Sequence, residues 1–90
     1  MKTFDKIPPL AAAKFLGDVV AEYHHAVAKH GQFHSAHEGW AVIYEELDEL
    51  WDEVRKKRAN RSPANMRGEC VQIAAMALKF AISICLKPSR

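Results

Sequence analysis

The stretch "SAHEGWAVIYEELDELWDEVRKKR", Ser35 to Arg58, decides the fold, because it specifies one helix together with both of its ends. Ser35 and Glu38 have the S-x-x-E spacing of a capping box, in which a hydroxyl and a carboxylate each satisfy a backbone N–H left open at a helix start. Trp40, Ile43, Tyr44, Leu47, Leu50, Trp51 and Val54 then share one stripe at about 100° per residue, and this spacing predicts a face committed to a core. The run Arg55 to Arg58 puts positive charge where the helix dipole is negative. Asp52 with Lys56, and Glu53 with Lys57, have the spacing of supporting ion pairs.

On the N-terminal side lies "IPPLAAAKFLGDVVAEYHHAVAKHG". Pro8 and Pro9 suit a helix entry, Gly31 suits the position just past its end, and Leu16, Val19, Val20, Tyr23 and Val27 recur at helical spacing. These signals predict a helix from about Pro9 to His30. On the C-terminal side Ser62 and Pro63 read as the cap and first turn of a third helix, which runs to about Leu86 before Lys87 and Pro88 stop it. Its apolar residues occupy two sides, with Met66, Ile73, Ala77, Phe80 and Ile84 on one and Val71, Leu78 and Ile82 on the other. A helix apolar nearly all round needs cover on more than one side.

The expected fold is therefore all-α: a three-helix chain forming a bundle in one domain, residues 1–90. Its core at 90 residues is modest, so the third helices are expected to complete a shared bundle in a homodimer. A hydrophobic fraction of 49% with 27% charged residues is that of a soluble globular chain. Gln72, Lys79 and Ser83 interrupt the longest apolar run, so no membrane association is expected and the location reads as cytoplasmic. Cys70 and Cys85 stand roughly 22 Å apart on one helix at about 1.5 Å per residue, too far to bridge, and read as small buried thiols. A net charge of +2 gives no global case for nucleic acid as a partner.

The acidic residues of the second helix carry the chemistry. Within "EELDELWDEV" six carboxylates fall in ten residues, and Glu45, Glu46, Glu49 and Glu53 gather away from Trp40, Leu47 and Trp51. Asp48 and Asp52 lie to one flank. Like charges at i,i+3 and i,i+4 repel, and a surface helix usually mixes signs to relieve this. The third helix adds one carboxylate, Glu69, and one amide three residues on, Gln72. A carboxylate in an apolar helix is costly to bury unless it is paired or coordinates a cation. With the two helices antiparallel, Glu69 and Gln72 face the acidic side of the second. Such a cluster of oxygen donors suits Mg²⁺, with Mn²⁺ as the other hard cation it would accept.

"EELDE" at Glu45 to Glu49, followed after a connection by "ECVQ" at Glu69 to Gln72, resembles the E-E-x-x-E and E-x-x-D motifs of the MazG-like all-α nucleoside triphosphate pyrophosphohydrolases. The longer segments "HEGWAVIYEELDELWDEVRKK" and "MRGECVQIAAMALKF" look like the short MazG-like proteins of bacteriophages and prophages. The resemblance spans roughly His34 to Phe80. It implies that Glu46, Glu49 and Glu69 are metal ligands, that Gln72 occupies the fourth ligand position, and that Glu45 is a supporting carboxylate. The implied reaction converts a nucleoside triphosphate to a monophosphate and pyrophosphate with Mg²⁺. Glu45 and Glu53 are the two candidates for the base that orients the attacking water. The second motif departs from the family at Gln72, where Asp is usual. That departure supplies an alternative expectation, a non-catalytic metal-binding, nucleotide-binding or interaction module.

Three features remain. His37 begins the matched segment and is a candidate contact to phosphate or base. Lys79, an isolated cation on an apolar helix, is a candidate triphosphate contact, with a snorkelling surface side chain as the plainer reading. His24, His25, His30 and His34 read as surface or loop residues, since neither cysteine pairs nor supporting spacing make a zinc site. Trp40, Tyr44 and Trp51 have rings suited to base stacking but sit on the stripe expected to be core.

Overall fold

The computed structural model describes residues 8–86. Three α-helices follow one another, α1 (Pro9–His30), α2 (Ala36–Val54) and α3 (Pro63–Phe80), and α3 continues into a π-helical turn over Ala81–Cys85. A short 3₁₀ turn, Arg58–Asn60, lies between α2 and α3. The described residues contain no strand, so the all-α expectation holds; the proposed stop at Lys87 and Pro88 lies outside them.

Each helix boundary has a local cause. Pro9 occupies the first turn of α1, and the chain leaves that helix at Gly31 with φ 75° and ψ −176°, a conformation essentially reserved for glycine. Ser35 caps α2 by accepting from the Glu38 N–H at 3.0 Å, while Glu38 Oε1 accepts from the His34 N–H at 2.7 Å. The reciprocal half of the capping box thus reaches one residue further back than the motif requires. Ser62 caps α3 through the Asn65 N–H at 3.1 Å. The run Arg55 to Arg58 is not a last turn: α2 ends at Val54, and the carbonyl left open there accepts from Arg61 Nε at 2.8 Å. The nearby ion pairs are Asp52–Arg55 and Glu53–Lys56, each one residue shorter in spacing than predicted.

The third helix is the centre of the fold, with α1 packed on one side and α2 on another. Val71, Ala75 and Met76 are buried with Val19, Tyr23 and Ala26 of α1 and with Phe33 from the α1–α2 connection. Asp18 fastens the other end, pairing with Lys14 at 2.7 Å and with Arg67 of α3 at 2.9 Å. The segment Pro63–Cys85 has the length and apolarity of a membrane-crossing helix, and α1 and α2 bury 28% of its most apolar window.

Two sequence expectations are overturned. Trp40, Tyr44, Leu47 and Trp51 are not core: they are 59%, 53%, 41% and 58% exposed. Of the predicted stripe only its Ile43, Leu50 and Val54 edge is part-buried, and the face of α2 that meets α3 joins Ile43 with Gly39, Val42 and Glu46, centred about a third of a turn from the exposed residues. The cause sits at the start of the helix. Gly39 is buried so closely that an added β-carbon would collide with the Phe80 ring and come within 3.1 Å of Phe33. That approach fixes the rotation of α2, which periodicity alone does not report. Cys70 and Cys85 are likewise exposed, on the side of the third helix turned away from both neighbours, rather than buried.

Candidate metal centre

Antiparallel packing of α2 on α3 brings together acids that lie far apart in sequence. Glu46, Glu49 and Glu69 each offer an oxygen within 4.8 Å of the others. Glu46 and Glu49 are one turn apart on α2, and Glu69 comes from the second turn of α3. Glu46 and Glu69 are half-buried, and each has one oxygen, Oε2, shielded from water without a hydrogen-bond donor. Burial pushes the Glu46 carboxyl up to about 7, with Glu49, Glu69 and Glu45 adding to the effect. Burial also raises Glu69, again with Glu49 contributing. Three carboxylates gathered with no cationic partner among the described residues are an unfavourable arrangement until a proton or a cation joins them.

The donor set fits a hard divalent cation. All three groups are carboxylates, and the 4.8 Å spread only slightly exceeds the about 4.2 Å between opposite oxygens at the distances of Mg²⁺. Gln72 lies half-buried three residues beyond Glu69 on the same stripe of α3.

Glu53 also has one shielded oxygen without a donor, Oε1, but differs in its charge partner. It pairs with Lys56 at 2.8 Å, and this partner, with Asn65 and the Ser62 N–H nearby, holds its carboxyl below the usual range. Sited in the last turn of α2 against Ser62 and Asn65, it ties the α2–α3 connection together. Glu45 is exposed and makes no ion pair with the described residues.

Glu45, Glu46 and Gln72 also line a cavity of about 530 Å³ between the three helices, a size suited to a small organic ligand. Its inner wall is apolar, from Ala26, Phe33, Val42 and Met76. Lys79 lines it too, and is no snorkelling residue: it is 4% exposed, with its ammonium 4.3 Å from the centre of the Phe33 ring. His37, by contrast, lies at a shallow depression with Trp40 and Phe80, not in this cavity.

Sequence reasoning missed several lining groups, among them His25, Lys29 and Gln32. Gln32 is held by a network with no local signature. Ser83 Oγ donates to Gln32 Oε1 at 2.6 Å and accepts from the Phe33 N–H at 3.1 Å, while Gln32 Nε2 donates to the Tyr23 hydroxyl at 2.8 Å. A serine inside the apolar end of the third helix was the one available hint.

Compared with protein-family models, curated proteins and solved structures, the chain has no match.

Proposed function

We propose that the chain is a Mg²⁺-dependent or Mn²⁺-dependent nucleoside triphosphate pyrophosphohydrolase of MazG-like type, acting as a homodimer. The observation that carries this reading is the convergence of Glu46, Glu49 and Glu69, of which Glu46 also lines a ligand-sized cavity. These three would hold the cation, with the Gln72 amide carbonyl as a neutral fourth donor. When bound, the cation neutralises phosphate charge and polarises the phosphoryl group. Glu45, exposed on the cavity and free of a cationic partner, accepts the proton of the attacking water. Glu53, committed to Lys56, positions the helix junction rather than the water.

Dimerisation is supported by the outer face of α2. Trp40, Tyr44, Leu47 and Trp51 form an exposed apolar stripe along one helix, and a contiguous patch of this kind is characteristic of an interface. The stripe favours a contact through the second helix, where the sequence pattern favoured the third.

The test is to incubate the protein with a panel of canonical and modified dNTPs and Mg²⁺ or Mn²⁺, and to assay monophosphate and pyrophosphate. Turnover that disappears in Glu49→Ala supports the reading; its absence on every substrate rejects catalysis. Gln72 favours the second reading, a binding module with a degenerate site. Nucleotide binding without hydrolysis, with hydrolysis gained in Gln72→Asp, would establish that reading instead.

A further inference from the structure

The buried Lys79 gives the cavity a second pole, distinct from the carboxylates. Glu69 and Lys79 are ten residues apart on α3, about 15 Å along the axis. That separation exceeds a single phosphate and is of the order of a nucleotide's length. Among the described residues no carboxylate lies within ion-pair distance of the ammonium, and its one partner is the Phe33 ring. A lysine has three donors and no acceptor, so the ligand must bring the acceptor.

The surroundings decide what kind of group that is. Ala26, Phe33, Val42 and Met76 give the cavity its apolar wall. The carboxylates that line it, Glu22, Glu38, Glu45 and Glu46, outnumber the lysines, Lys29 and Lys79, with His25 and His30 beside them, a balance that does not favour a free anion. Gln32, on the same cavity, accepts from Ser83 through its carbonyl and donates one amide N–H to Tyr23, which leaves its second N–H to offer. Lys79 and Gln32 therefore both present donors to what enters the cavity. We infer that the cavity holds the nucleobase of the substrate, and that Lys79 selects bases presenting a ring carbonyl, such as guanine, thymine or uracil, over adenine, which presents an amino group there.

The inference rests on the nucleotide reading above, and binding tests it separately from turnover. Affinities of the α,β-methylene analogues of dGTP, dTTP and dATP are measured by calorimetry in Mg²⁺ and in EDTA. The expected result is a preference of about tenfold or more for the two carbonyl bases, abolished in Lys79→Met and partly kept in Lys79→Gln, which retains a donor. The unmodified protein alone decides the matter if a variant fails to fold. Equal affinity for the three analogues, or equal weakening of all three in Lys79→Met, overturns the inference and leaves the metal reading intact. A carbonyl preference that persists unchanged in EDTA upholds the inference and removes the metal reading. Binding of none of the three overturns both.

Discussion

The two sides of α2 each carry what a helix face ordinarily avoids. Toward α3, beside Gly39, Val42 and Ile43, it places Glu46, with Glu49 and Glu53 close by; toward solvent it turns Trp40, Tyr44, Leu47 and Trp51. The difference teaches that each has a separate requirement, the inner for positive charge and the outer for apolar cover. Glu53 is supplied by Lys56, whereas Glu46, Glu49 and Glu69 have no cation among the described residues and share their excess charge. The inner and outer sides can be broken independently.

The largest effect is expected on the inner side. Replacing Glu46, Glu49 or Glu69 singly by Gln should lower turnover by about a hundredfold or more, measured at saturating Mg²⁺, with no change in oligomeric state. On the outer side, Trp51→Glu should weaken self-association by about 2 kcal/mol or more, read by sedimentation over a dilution series; unchanged association would remove α2 as the interface. Gly39→Ala attacks what sets the two sides apart, because its methyl group runs into Phe80. It should lower stability by about 1–3 kcal/mol in denaturant titrations. A neutral result would show that something other than this approach fixes the rotation.

The smallest effect concerns pH. Glu46 titrates at about 7 in the folded protein against a usual value of 4.5, so between these values the folded state binds more protons than the unfolded one. Stability without divalent cation should therefore fall as pH rises from about 4.5 through 7, by about 1–2 kcal/mol once solvent screening is allowed for. Melting temperatures at pH 5.5 and 8 measure this. Mg²⁺ should restore stability at the higher pH, and Glu46→Gln should flatten the dependence. A melting temperature that rises across the same interval would contradict the burial assigned to Glu46.

Helix positions were legible in the sequence because their causes are local: Ser35, Ser62, Pro9, Pro63 and Gly31 act on neighbouring backbone. The grouping of Glu46 and Glu49 with Glu69 was legible as well, since an antiparallel pair leaves few ways to place one carboxylate of an apolar helix. Rotation was not. An apolar stripe says that some surface covers it, not whether that surface belongs to the same chain, and so Trp40 and Trp51 were assigned to the wrong side. Lys79 and the Gln32–Ser83 network depend on contacts across half the chain, for which nearby residues carry no signal. The exposure of Cys70 and Cys85 follows from the placement of α1 and α2, which composition does not encode.

The hydrogen bond from Ser83 to Gln32 joins residues 51 apart in sequence. Pairing of α2 with α3 closes a much shorter loop, and loop-closure entropy favours contacts of that kind early in folding. Loop length alone therefore predicts that the carboxylates gather before Ser83 reaches Gln32, an order that substitutions at Ile43 and Ser83 would read in folding kinetics.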